Sequence, residues 1–413
     1  MVTVALIFVR TSAISRPAPL HGMKVLDLSR VLAGPWCTMI LADLGAEIIK
    51  IENPNGGDDT RRWGPPYVGT ESAYYLCANR NKKSVAIDIS TAEGQEIVRT
   101  LAAGADVLVE NYKLGGLEKF GLGYKALSAL NPRLIYCSIS GYGRQSPLAA
   151  RPGYDYVIQA EGGLMSVTGP ADGEPMKVGV AVADLYTGMA AAQAVLAAIV
   201  AQQRDGTGQH IDMALFDAQL AMLANVGAAY LATGEDPPRL GNQHPTVVPY
   251  QVFATSDGSA VVAVGNDRQF AALCKGPLAR PELAADERFQ TNAARVRNRK
   301  ALIPLLAARI AEEPTAFWLE AMRANGTPCG EVRSVGAALT SPEAMARQMV
   351  RQVQHPTEGE IGLVASPLKL GATPVVTPAA PPLLGQHTDE VLAALPGHDE
   401  ASILDLRERG IVA

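Results

Sequence analysis

Residues 20–52 read LHGMKVLDLSRVLAGPWCTMILADLGAEIIKIE. Met23–Ser29 is a short apolar run that reads as a buried strand. Pro35 fits the first turn of a helix, and the helix predicted from it runs towards Leu44. Ala46–Glu52 is the next strand. Strands buried on both faces of a parallel sheet read as near-continuous apolar runs, so strand–helix–strand of this kind opens an α/β fold. The connecting segment SRVLAGP (29–35) is not G-x-G-x-x-G. A nicotinamide or flavin site therefore has little support.

The alternation continues outward. Lys83–Ile89, Asp106–Asn111 and Arg133–Ser140 read as strands, and Thr91–Leu101 and Tyr124–Leu130 as helices. Ligands on such sheets sit beyond the carboxyl ends of the strands. Those ends are Ser29–Pro35, Glu52–Gly57, Ser90, Asn111–Lys113 and Gly141–Gln145. A Gly-rich stretch follows residue 150, then an Ala-rich helix predicted to about Arg204. Its apolar run, Leu185–Ala201, contains Thr187 and Gly188 and is slightly short for a membrane span, so a buried helix is expected. RDGTGQHIDMALFDAQLAMLA (204–224) repeats turn, strand and helix. Residues 235–250 break the pattern. A hairpin is predicted around Asp257–Gly258 and helix over 288–324. From Gly359 the chain is expected to give a strand (LVASPLKL), a Pro-rich loop and two short helices. The domain expectation is an extension over 1–19, a large α/β domain over 20–224, a small α+β domain over 225–330, and a return to the large domain over 331–413.

Composition narrows the function. The chain has 413 residues and a net charge of −5, with aromatics at 5%. A sequence-independent nucleic-acid binder should be basic and offer stacking surfaces, so nucleic acid is not an expected partner, and neither is a membrane. A small anion held by a local basic cluster stays open. Five cysteines are widely spread without C-x-x-C, which argues against a disulfide framework or zinc site and for a reducing compartment. The six histidines form no H-x-x-x-H pair, so no metal is expected. Residues 2–9 (VTVALIFV) are too short for a signal peptide. A disordered extension and a cytoplasmic protein are expected, or the mitochondrial matrix if the extension is a transit peptide. There is no G-x-x-x-x-G-K-[ST] and no G-x-S-x-G, which leaves carboxylates in Gly-rich loops as candidates for chemistry.

Several ordered segments carry a resemblance: 20–52 above, NKKSVAIDISTAEG (81–94), ADVLVENY (105–112), GYDYVIQAEGGLMSVTG (153–169), GVAVADLYTGMAAAQAVLAAI (179–199), GTGQHIDMALFD (206–217) and PLLGQHTDEVL (382–392). The chain resembles the family III CoA-transferases from Leu20 to its C-terminus. Residues 248–274 are more like the subgroup that uses succinyl-CoA and small dicarboxylates such as glutarate or itaconate. The resemblance implies a large Rossmann-like doubly wound domain, a smaller α+β domain, and an interlocked homodimer. It also implies CoA thioester and small carboxylic acid as substrates.

The family's nucleophilic Asp falls on Asp184. A carboxylate there would attack the acyl-CoA thioester and expel CoA thiolate, leaving a mixed anhydride. The thiolate would then attack the aspartyl carbonyl, giving an aspartyl-CoA thioester and free donor acid. An acceptor carboxylate reverses the sequence. Taken from the residues alone, Asp184 also reads as a cap of the helix that follows it. For CoA, the resemblance carries over Val31, Leu32 and Ala33, then Ile87 beside the adenine pocket, and Asn111, Tyr112 and Lys113. Asn53 stands where relatives have an arginine, with Arg61 a substitute for its charge. Lys119 matches a phosphate-binding cation, as a point charge without the bidentate fork of arginine. Arg80, Lys82, Lys83 and Arg151 are further basic candidates, each alternatively a solvated surface charge.

The fold also includes α-methylacyl-CoA racemases, the alternative reading, which place a base in a G-H-D segment. Here that segment is Gly153-Tyr154-Asp155. A tyrosine ordinarily titrates near 10 and is a poor base at neutral pH. Tyr154 is read as lining the acyl or pantetheine channel, or as a core tyrosine. A dicarboxylate acceptor needs a cation for its second carboxylate; His244, Arg62 and Arg239 are the candidates, with His244 alternatively a loop hydrogen-bonder. An inactive CoA-binding relative is a third class, against which the retained Asp184 argues.

Overall fold

The computed structural model describes residues 16–413. The expected disordered extension falls largely on residues 1–15, outside the described residues. Six strands form one sheet: β1 (Lys24–Asp27), β2 (Glu47–Glu52), β3 (Lys82–Ala86), β4 (Val107–Glu110), β5 (Ile135–Ser140) and β6 (His210–Ala214). All five pairings are parallel. The order across the sheet is β3-β2-β1-β4-β5-β6. This is the doubly wound order whose direction reverses between β1 and β4.

Both faces are buried, and the two-residue period of a strand divides its side chains between them. Val25, Ile48, Val107, Val109 and Cys137 pack into one core with α1 (Ala33–Asp43). Leu26, Ile49, Leu108 and Tyr136 enter the opposite core with α2 (Ala92–Ala103), α3 (Tyr124–Leu130) and the C-terminal helices Thr388–Ala393 and Glu400–Glu408. That alternation with no polar face is why β1 and β2 read as apolar runs. α4 (Asp155–Glu161) follows the Gly-rich segment. α5 (Val182–Asp205) buries Ala183, Thr187, Gly188, Ala191 and Val195. α1 and α5 approach closely enough that a Cβ on Gly188 would lie 2.6 Å from the Ala33 carbonyl oxygen. The apolar run 185–201 is thus a core helix on its buried side. α6 (Leu215–Met222) follows β6 directly.

The chain divides into two compact units. One holds the described residues up to Gly162, Gly179–Ala224 and Glu343–Ala413; the other holds Gly163–Val178 and Asn225–Pro342. The second unit therefore takes 163–178 from within the segment assigned to the large domain, and it ends at Pro342 rather than at 330. A three-stranded antiparallel sheet organises it: β7 (Tyr250–Ala254), β8 (Ser259–Ala263) and β9 (Cys329–Glu331), with β8 central. The turn between β7 and β8 contains Asp257 and Gly258. Arg239 ties 163–178 into this unit by donating to the carbonyls of Ser166, Pro170 and Gly173.

Several boundaries differ from the sequence reading, and the helix expected over 288–324 is three: Asn292–Arg297, Arg299–Ile310 and Thr315–Ala324. The third strand ends at Ala86, and Ile87 only bridges Val412. Near the C-terminus β10 (Val350–His355) and β11 (Gly359–Val364) form a hairpin. The predicted strand LVASPLKL is therefore real only to Val364, because Pro367 cannot donate to a ladder.

Candidate active site

The loops leaving β1 and β4 meet at the point where strand order reverses. Asn111 fastens them together. Its side-chain oxygen accepts from the Arg30 N–H at 2.9 Å, and its amide donates to the Arg30 carbonyl at 2.7 Å. Buried Glu110 accepts from the Tyr112 N–H at 2.7 Å and so fixes the next residue. Together they shape a cleft of about 300 Å³ lined by Arg30–Ala33, Asp59, Asn111–Leu114, Ile139–Gly141, Ala149–Tyr154, Asp184 and Leu215. The volume lies at the low end for ligand pockets, about 300–1,000 Å³.

The β1 loop is braced from beneath. Val31 adopts φ +70°, a left-handed conformation that is rare and costly for a β-branched residue. Asp58 accepts its N–H at 3.2 Å. Fully buried Lys50 lies between, donating to Asp58 at 3.0 Å and to the Ser29 carbonyl at 2.7 Å. Burial alone would raise the Asp58 value, but Lys50 and the Thr60 donors overcome it and hold the carboxyl at about 2. Asp27, at the end of β1, repeats the device, accepting from Lys82, Ser29 and Thr38.

Asp184 is the carboxylate of the cleft. It stands at the third helical position of α5, behind N-cap Ala181, and so is not the cap. Asp155, from α4, does the capping. One of its oxygens accepts the N–H groups of Ala183 at 2.8 Å and Asp184 at 3.3 Å, while the other accepts from Gln159 at 2.7 Å. Among the described residues no hydrogen bond reaches the Asp184 carboxylate. Burial first, and the Asp155 charge second, push it up to about 7. At neutral pH a substantial fraction is an ionised, donor-free carboxylate, which is a competent nucleophile.

The other expected contacts divide. Val31, Leu32, Ala33, Asn111, Tyr112, Lys113, Arg151 and Tyr154 all line the cleft with Asp184. Tyr154 is 65% exposed, so it is not a core tyrosine. Arg151 is held by Glu161 at 2.6 Å and lies over the Tyr142 ring. Arg61 is not a free cation. Its guanidinium is buried against Glu52 with two 2.8 Å bonds, and it also meets the Tyr75 hydroxyl at 2.6 Å. Arg80 and Lys82 are likewise spent on Asp43 and Asp27, and Lys83 pairs with Glu47 and Glu390. Asn53 closes its own turn by accepting from the Asn55 N–H. Ile87 is a core residue, 1% exposed. Lys119 lies over the Phe120 ring, outside the cleft lining. Arg62 is an exposed side chain 3.9 Å from Asp59. His244 belongs to the second unit, where its Nδ1 accepts from the Thr246 N–H, as a loop hydrogen-bonder does. Two charged residues of the cleft lining are not among the site residues expected from the sequence: Arg30, in the segment SRVLAGP, and Asp59. Arg30 has a detectable signal, since it directly follows a strand end.

Fold and site together define an α/β enzyme with its ligand cleft at the switch point of a parallel sheet and an unshielded carboxylate within it. The model for CoA-transferase family III matches residues 20–388. A succinyl-CoA:glutarate CoA-transferase of Homo sapiens is 45% identical over 394 residues, covering 95% of this chain and 90% of that protein. A succinate--glutarate CoA-transferase of Agrobacterium fabrum is 45% identical over 387 residues, covering 92% and 96%. The crystal structure of a CAIB/BAIF family protein from Brucella suis superposes with a TM-score of 0.83 at 45% identity, covering 92% of this chain and 99% of that one. The chain belongs to CoA-transferase family III, and its substrates are CoA thioesters. No group of three or more His, Cys, Asp or Glu arranged to hold a metal occurs among the described residues.

Proposed function

We propose that the enzyme transfers CoA from succinyl-CoA to a small dicarboxylate such as glutarate or itaconate, through an aspartyl-CoA thioester at Asp184. The observation that carries this reading is Asp184 itself, donor-free and half-buried at the head of the cleft. The substrate class is supported by the names of the relatives with 45% identity. Asp184 attacks the thioester carbonyl and CoA thiolate leaves. The thiolate returns to the aspartyl carbonyl of the mixed anhydride and succinate departs. Glutarate then attacks the aspartyl thioester and expels CoA thiolate, leaving a glutaryl–aspartyl anhydride; the thiolate attacks its glutaryl carbonyl, and glutaryl-CoA and the Asp184 carboxylate are released. Each covalent stage is open to hydrolysis, so water must be held off while it lasts. Arg30, Lys113 and Arg151 are the cations along the cleft lining, and we assign them to the anionic groups of the two substrates.

Tyr154 in place of a histidine speaks against α-proton exchange as the main activity. We also infer an interlocked homodimer. In support, α5 leaves Tyr186, Met189 and Val200 exposed on the side away from its buried stripe. The five cysteines are all free thiols, which favours a reducing compartment such as the cytoplasm.

A screen of glutarate, itaconate, malate, mesaconate, oxalate and carnitine against succinyl-CoA tests the reading. Turnover is expected with glutarate or itaconate, and none with carnitine. No turnover with any dicarboxylate overturns the substrate assignment.

A further inference from the structure

We propose that Asp155 is the positioning residue of the nucleophile: it caps α5 in place of Asp184, fixes the backbone of that residue and places a second carboxyl group beside the one it leaves without a donor. The proposal rests on Asp184 being the nucleophile.

A helix that begins without a cap leaves its first N–H groups unsatisfied, and a carboxylate within its first turn ordinarily serves them. In α5 that carboxylate would be Asp184. Asp155 takes the role instead, from another helix, with bonds to the backbone N–H groups of residues 183 and 184. The same bonds clamp the backbone of the nucleophile. Gln159, one turn along α4, holds the second oxygen at 2.7 Å. Three donors thus converge on the two oxygens of Asp155. Asp184 has burial and the Asp155 charge beside it and no donor of its own, and its value rises to about 7.

The arrangement has a chemical consequence. The repulsion between the two carboxylates exists only while Asp184 is ionised. Acylation converts Asp184 to a neutral anhydride or thioester, so the strain is released in the covalent intermediates. A more basic carboxylate is also the stronger nucleophile once deprotonated. Other charged groups surround the site on the elements packed against α5. α4 contributes Glu161, which is engaged with Arg151 and Tyr142. α6 contributes exposed Asp217. α1 contributes only Asp43, paired with Arg80. β5 and β6 contribute His210, bonded to Ser138, and Asp212, which accepts from the Arg144 N–H. Tyr74 faces the pair, and burial first, then Asp184, push its hydroxyl up to about 12. Arg30, Asp59 and Lys113 complete the cleft.

The test is kcat/KM for succinyl-CoA from pH 5 to 9, in the wild type and in Asp155→Asn. The amide oxygen of asparagine still accepts the helix N–H groups but carries no charge. The acid limb of the profile is expected to move down by about one pH unit, because removing a neighbouring like charge favours ionisation. Titration of the substrate cancels between the two enzymes. A limb that stays in place overturns the proposal, since a merely structural cap would leave it there. Should the asparagine variant fail to fold, Asp155→Ser keeps an acceptor without the charge, and the same criterion applies. Mass analysis of wild type incubated with succinyl-CoA separates the two claims. If CoA is not found on Asp184, the nucleophile reading fails; if it is found there and the limb does not move, only the role of Asp155 fails.

Discussion

Asp184 is costly to the fold as an anion. Its carboxyl is raised to about 7 in the folded chain, against about 4 for an unfolded aspartate. Folding therefore favours the neutral form. The stability this contributes is fully present below about pH 4 and is lost as the pH rises through about 7. The loss amounts to as much as about 4 kcal/mol. Asp184→Asn should therefore melt several degrees higher than wild type at pH 8, with the difference closing by pH 4, while transfer activity disappears. Differential scanning calorimetry at both pH values checks it; equal melting points at pH 8 contradict the half-buried, donor-free carboxylate. The family motif made Asp184 legible in the sequence. Its cap was not legible, because Asp155 lies 29 residues away and local spacing pointed to Asp184 as its own cap.

At the scale of elements, the cleft depends on a loop held in an unfavourable backbone conformation by buried charge. Asp58 joins Val31, Lys50 and Thr60. Asp58→Ala removes the ion-pair partner of the fully buried Lys50 ammonium and should cost about 3–5 kcal/mol, by the usual penalty for breaking a buried pair. It should also raise KM for the CoA thioester by loosening residues 29–35. Urea unfolding and steady-state kinetics measure the two effects; an unchanged midpoint contradicts the brace. Gly188 sets the spacing of α1 and α5, and Gly188→Val should destabilise by about 1–3 kcal/mol through overpacking, read in the same unfolding experiment. Both helices and the first strands were legible because a doubly buried sheet writes apolar runs and the starting proline marks α1. β10 (VRQVQH) was not, since only Val353 and His355 are buried in it and its mostly polar sequence hides the alternation. The pairing of the cations is hidden for a related reason. Strand ends rich in Arg and Lys look like anion sites, but Arg61, Arg80 and Lys82 each face a buried carboxylate: Glu52 nine residues back for Arg61, and the more distant Asp43 and Asp27 for the other two.

For the whole molecule, a net charge of −5 fits an enzyme for anionic ligands once the cations Arg30, Lys113 and Arg151 are counted at the cleft rather than along the chain. A homodimer is expected to sediment at twice the chain mass, and to stay together at submicromolar concentration if the chains interlock; an active, folded monomer on light scattering contradicts it. The central claim is chemical. Wild-type enzyme mixed with succinyl-CoA, without acceptor, quenched in acid and digested, should yield the Asp184 peptide carrying CoA as a thioester, and that adduct should vanish on adding glutarate as glutaryl-CoA appears. No adduct on Asp184, or transfer retained in Asp184→Ala, would contradict the account.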